Sequence, residues 1–139
     1  SDLDLHLPGA RDEMLRWTSP VIYMRRTVSH DTILHGETLL AGDKVVLYYG
    51  AANRDENAFE DADKFDIRRV RNRHLAFGGG HHVCLGQWFA KLEIDAILKE
   101  VLSRMNDIHI NGELTWMPSN FISGLTTMPI SFTPGKKTA

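Results

Sequence analysis

The residues with chemistry to offer are concentrated in AFGGGHHVCLG, positions 76 to 86. Cys84 is the only cysteine of the chain, and His81 and His82 stand just ahead of it. Gly78, Gly79 and Gly80 let the backbone take positive φ and let another group come close. After the cysteine, Leu85, Trp88, Phe89, Leu92 and Ala96 recur at i, i+3, i+4, i+7 and i+11, an apolar stripe at helical period. This spacing predicts a helix from about Gly86 to about Arg104 and puts Cys84 just before its N-terminus. Unpaired N–H groups and the positive end of the helix dipole favour an anion there. The thiolate is the form of cysteine that binds metals and attacks electrophiles.

Four roles fit a cysteine so framed. It can be a buried thiol beside a glycine hinge, the commonest fate of a lone cysteine. It can join His81 and His82 in a transition-metal site, although adjacent loop histidines point apart and no matching ligand pair occurs elsewhere. It can be a nucleophile with a histidine base, although no oxyanion-hole motif accompanies it. It can be the axial ligand of a haem, the glycines letting the loop pass under a flat macrocycle. A phosphate loop is excluded, because G-x-x-x-x-G-K-[ST] does not occur.

The elements that must position this loop are short. Residues 9 to 17 read as a helix, opened by Pro8 and Gly9 and stopped by Thr18-Ser19-Pro20. VIYMRRTVS, positions 21 to 29, suits a strand. Extended runs broken at Gly36 and Gly42 suggest hairpin turns. GAANRDENAFEDADKFD reads as one helical turn and then loop, and IRRVRNRH, positions 67 to 74, carries four arginines and no acid. Beyond the long helix, TTMPISF is strand-like and a polar tail follows.

A length of 139 residues suits one domain, and 42% hydrophobic with 24% charged residues is a globular balance. Sixteen basic against 18 acidic residues give a net charge of -2, no basis for a nucleic-acid surface. No apolar run approaches a membrane span. A single cysteine closes no internal disulfide, so a reduced, cytoplasmic thiol is expected. The chain opens SDLDLHLPGARDEMLRW without an initiator methionine and reads like a piece of something longer.

Phe77-Gly78-x-Gly80-x-His82-x-Cys84-x-Gly86 resembles the haem-binding signature of the cytochrome P450 family. Other motifs follow in the family's order. Glu13-x-x-Arg16 is similar to its Glu-x-x-Arg pair, and Phe65-Asp66-Ile67-Arg68-Arg69 to the meander that supplies a third member, Arg69. Asn53-Arg54-Asp55 and Gly86-Gln87-x-x-Ala90-x-x-Glu93 also fit. The resemblance covers nearly all of the chain and corresponds to the C-terminal portion of a full-length member. It implies a mainly α fold with small β elements, incomplete as a domain, with residues 1–139 forming the haem-ligand region of a larger monooxygenase domain.

The resemblance also implies roles. Cys84 ligates the iron of haem b (iron protoporphyrin IX), its electron donation favouring O–O cleavage. Phe77, Gly78, Gly80 and Gly86 shape the loop. His82 and Arg26 bind haem propionates, a planar guanidinium suiting a carboxylate. Arg25 alternates to the other strand face. Glu13, Arg16 and Arg69 fasten the meander to the first helix. Val21, Ile22 and Met24, with Phe121 and Ile122, face an apolar small-molecule substrate. LRWTSPV and NFISGLTTMPISFTP resemble bacterial members that hydroxylate steroid side chains, terpenoids or branched lipids. Arg71, Arg73 and Lys91 are expected to dock an acidic ferredoxin- or flavin-type redox partner. The family's central oxygen-activating helix has no counterpart here, so the chain alone is expected not to hydroxylate without the missing N-terminal part of its fold. Alternatives are a haem- or metal-binding fragment without turnover, and a structural piece without ligand.

Overall fold

The computed structural model describes residues 2–135, with side chains from Asp4 onward. The polar tail expected at the C-terminus falls outside the described residues from position 136.

Helix α1, Asp2–Thr18, is longer than expected and carries Pro8 and Gly9 inside it. Proline costs the helix one hydrogen bond, but Leu7 and Leu15 are buried on either side of it. Arg11 and Asp4 are also paired to the second long helix. Tertiary packing outweighs the local breaker. At Gly9 the helix passes so close to the Ile67 carbonyl that no side chain fits. The predicted stop is where α1 ends: Ser19, at φ 41, gives its N–H to Leu15 O at 3.0 Å, and Pro20 follows.

β1, Tyr23–Thr27, pairs antiparallel with β4, Lys44–Tyr48, so that Met24 faces Leu47 and Arg26 faces Val45 across the ladder. Between them β2, Thr32–Leu34, and β3, Glu37–Leu39, form a hairpin over His35 and Gly36, both at positive φ. A single turn, α2 (Tyr49–Ala52), follows β4. The chain then runs without regular structure around α1 to a short turn at Gly80–His82. α3, Gln87–Arg104, is the second long helix. β5 (Met105–Ile110) pairs with β8 (Ile130–Pro134), and β6 (Thr115–Trp116) with β7 (Leu125–Thr127). Among the described residues the architecture is two long helices with four two-stranded antiparallel ribbons.

Among the described residues, the largest fully buried side chains are polar. The apolar core is small, with Leu7, Leu15, Tyr49, Phe59, Ala62 and Ala76, and the largest fully buried side chains are Arg16, Glu13 and Asn53. α3 meets α1 through ion pairs, Arg11 to Asp95 at 2.7 Å and Lys91 to Asp12 at 3.2 Å. Its half-buried positions are Gln87, Ala90, Lys91, Ile94, Asp95, Leu98 and Val101. The apolar stripe read from the sequence lies elsewhere: Leu85 is 98% and Trp88 74% exposed, and Phe89 and Leu92 are also exposed.

Candidate functional site

The loop that presents Cys84 is held by its own backbone and by side chains arriving from outside it. Gly78 N–H bonds Leu75 O at 2.8 Å, and Cys84 N–H bonds Phe77 O at 2.8 Å, closing the loop around the glycines. Gly78 sits at φ 73 and Gly80 at φ 59, conformations that L side chains rarely adopt. A Cβ at Gly78 would lie 3.0 Å from His82 O and 3.3 Å from the Tyr49 hydroxyl. Gly86 caps α3, and its Cβ position lies 4.0 Å from Cys84 Sγ. The loop is entered through two captured amides: Leu75 N–H bonds Asn53 Oδ1 at 2.7 Å, and Ala76 N–H bonds His74 Nδ1 at 3.3 Å. Burial pushes the His74 imidazole below its ordinary value; Lys91 and Arg11 act the same way, against the pull of Asp12 and Glu13.

Cys84 is exposed and opens onto a cavity of about 360 Å3. Its walls are mostly apolar: Leu15, Pro20, Val21, Met24, Tyr49, Ala76 and Phe77, with Gly78 and His82 beside the thiol. Val21 and Met24 are therefore brought to the cysteine. Ile22 is not: it lines cavities on the other side of its strand with Tyr48. Phe121 packs its ring edge-on to Tyr23, and its carbonyl accepts Ile22 N–H at 2.9 Å. Ile122 joins the site region only through its backbone bridge to Val21. His82 lines the cavity and His81 does not.

Strand alternation sends the adjacent arginines to opposite faces of β1. Met24 points into the cysteine cavity, and Arg26 shares its face of β1. Arg25 lines a different cavity with Tyr23, Val46 and Tyr48. The Arg26 guanidinium is exposed and bonds only the neighbouring Arg25 carbonyl, at 3.0 Å.

Below the loop, Glu13, Arg16 and Arg69 come together. Arg16 Nε and Nη2 each donate to the Glu13 carboxylate at 2.8 Å, with both side chains fully buried. Arg16 also donates to the carbonyls of Asn53, Ala62 and Lys64, fixing the irregular segment on α1. Arg69 Nε reaches the same carboxylate at 3.3 Å, and Asn72 Nδ2 donates to it at 2.9 Å. Burial alone would push the Glu13 carboxyl up. The Arg16 hydrogen bonds, the Asp66 N–H and the charges of Arg16 and Arg69 outweigh it and hold Glu13 at about 2.

Lys91 is placed differently from the expectation of a docking cation. It is mostly buried, pairs with Asp12 at 3.2 Å and lies 5.9 Å from the Trp88 ring centre. Arg71 and Arg73 are exposed, and the adjacent Val70 stands almost wholly in water. Sequence reasoning gave no role to Asn53, Ser19, Asn72 or His74. Asn53 lies in a quoted motif, but its partners are 22 and 34 residues away, and nothing local signals them.

A family model, Cytochrome P450, matches residues 8–131. The chain belongs to the cytochrome P450 family. It is 48% identical over 136 residues to a steroid C26-monooxygenase of Mycolicibacterium smegmatis, covering 96% of this chain and 34% of that protein. It is 45% identical to a methyl-branched lipid omega-hydroxylase of Mycobacterium bovis, over 95% of this chain and 31% of that protein. A substrate-free Mycobacterium marinum cytochrome P450 structure superposes with a TM-score of 0.90 at 35% identity, over 97% of this chain and 36% of that one. This P450 chain thus spans about a third of the length of the curated relatives it matches.

The residues present fit the haem that the family implies. One soft sulfur donor opens onto a mostly apolar cavity that Gly78 of the glycine loop also lines. Among the described residues no three histidine, cysteine or carboxylate side chains converge. One protein donor would suit a metal whose other ligands come with its cofactor. Among the described residues no helix is long and apolar enough to cross a membrane.

Proposed function

We propose that this chain is the cysteine-ligand region, residues 1–139, of a larger cytoplasmic haem-thiolate monooxygenase domain. The parent protein hydroxylates an apolar steroid, terpenoid or lipid-like substrate. The observation that carries the reading is Cys84 opening onto the same cavity as Val21, Met24, Phe77 and His82. Haem b, when bound, supplies the one-electron and O2 chemistry. With two electrons and two protons, one oxygen atom enters a C–H bond and the other leaves as water.

The work of the protein is positional. Cys84 would hold the haem iron through its sulfur, and the Cys84 N–H bond to Phe77 O closes the loop that presents it. His82 and Arg26 would bind the propionates, the latter from the face of β1 that carries Met24. Val21 and Met24 present apolar surface to the substrate, which suits the substrates named for the relatives. Glu13, Arg16 and Arg69 hold the floor beneath. Arg71 and Arg73 form the docking surface for an acidic ferredoxin- or flavin-type partner, and Lys91, engaged by Asp12, is left out of it.

The test is the visible spectrum of the haem-incubated protein, reduced under CO. Thiolate ligation gives a strongly red-shifted Soret band, and Cys84→Ala abolishes that shift. An unchanged band in Cys84→Ala overturns the ligand assignment.

A further inference from the structure

Asn53 is fully buried and uses every polar group it has. Its N–H bonds Tyr49 O at 2.9 Å, and its carbonyl accepts Arg16 Nη1 at 2.7 Å. Its Nδ2 donates to Ser19 Oγ at 2.8 Å, and its Oδ1 accepts Leu75 N–H at 2.7 Å. Ser19 Oγ spends its proton on Arg16 O, at 2.9 Å, so it can only accept from Asn53. The backbone N–H of Leu75 can only donate. These two partners fix which end of the carboxamide is oxygen. The result is one chain of hydrogen bonds, buried at Arg16, Ser19 and Asn53, that runs from the Arg16 carbonyl to the exposed Leu75. Leu75 is the last residue before AFGGG, and its own carbonyl accepts Gly78 N–H.

We propose that Asn53 is a positioning residue, whose carboxamide sets the glycine loop, and with it Cys84, against the end of α1. The same helix end carries Arg16, so the loop is registered to the buried Glu13–Arg16 pair rather than only to itself. No other side chain satisfies both ends. Aspartate keeps an acceptor for Leu75 but has no donor for Ser19. Leucine keeps the volume and orphans both partners. Glutamine is one methylene too long for a site with no exposed surface. The consequence for iron ligation rests on the proposed function; the registration of the loop does not.

The experiment follows amide hydrogen exchange in the chain, with Asn53→Leu, Asn53→Asp and Ser19→Gly, glycine tolerating the positive φ at that position. Removing the acceptor of the part-buried Leu75 N–H together with the donor to the buried Ser19 hydroxyl corresponds to about 5- to 150-fold in local opening. Asn53→Leu should raise exchange at Leu75, Gly78 and Cys84 by that factor beyond any rise in the α3 interior. Asn53→Asp, which keeps the acceptor, should restore protection at Leu75 to within about threefold of the parent chain. Ser19→Gly should loosen Leu75 although it does not touch it. Exchange at the loop that merely tracks α3 in all three variants, or Asn53→Leu matching the parent chain at Leu75, overturns the proposal. A second arm adds haem and CO under reduction: Asn53→Leu should shift part of the red-shifted band to the unshifted position. If the unsubstituted chain shows no red-shifted band, it holds no haem by a thiolate on its own, the family assignment stands, and the exchange result still decides the role of Asn53.

Discussion

Acid should dismantle this fold from its centre, beginning at Glu13. That carboxyl is held at about 2, against 4.5 when unperturbed. A group whose folded value is depressed contributes its stability in full above the unfolded value and loses it as pH falls toward the folded one. The window is therefore from about 4.5 down to about 2. The gap between those values, at about 1.36 kcal/mol per pH unit, corresponds to roughly 3 kcal/mol. Glu13 is fully buried, so little of this is screened by solvent. That is a large share of the 5–15 kcal/mol or so available to an ordinary domain. Asp12 is also depressed: burial pushes it up, but bonds and charges from Arg11 and Lys91 outweigh that. It adds a smaller loss in an overlapping range. Urea unfolding followed by far-UV circular dichroism, in steps from pH 6 to pH 2, measures the sum together with the loss from His74, whose buried imidazole is also depressed and starts to cost stability at higher pH, and Asp12→Asn removes the second contribution. Asp12→Asn should still lose about 3 kcal/mol across the window. A flat stability curve in that variant would refute the reasoning, because no other fully buried carboxylate is present among the described residues.

Three further outcomes are expected. Gly78→Ala forces a side chain onto φ 73 with its Cβ 3.0 Å from His82 O, and should weaken haem binding and cost about 1–2 kcal/mol in urea melts. Gly9→Ala drives a methyl into the Ile67 carbonyl and should lower the unfolding midpoint by a comparable amount, with no change in the spectrum of protein that remains folded. Charge reversal at Arg71 and Arg73 should slow electron transfer from an acidic partner and flatten its dependence on salt, whereas Lys91→Ala should leave that dependence unchanged in stopped-flow reduction, its ammonium being paired internally.

Local features of this chain could be read directly. Glycines at 78 and 80 ask for positive φ and have it. The i, i+3 spacing of Glu13 and Arg16 permits the pair that forms. Alternation along β1 says that Arg25 and Arg26 diverge, but not which faces Cys84. That depends on the position of Met24 in a cavity built from four separate segments. Asn53 was harder still. A buried asparagine looks like any turn asparagine until Ser19 and Leu75 are folded around it.

α3 shows why a correct element can carry an incomplete reading. Its periodicity locates the helix because Leu85, Trp88, Phe89 and Leu92 fall on one side. Burying each would contribute about 1.5–3 kcal/mol, so the stripe is the strongest signal in the segment. The contact with α1 uses another face, where Lys91 and Asp95 meet Asp12 and Arg11. That face is weakly amphipathic and mixes charges with Ile94 and Leu98, so no hydrophobic pattern marks it. Its specificity comes from charge complementarity between side chains more than 75 residues apart in sequence. Periodicity reports a helix's demand for burial; the placement of Arg11 and Asp12 on α1 decides which of its faces this chain meets.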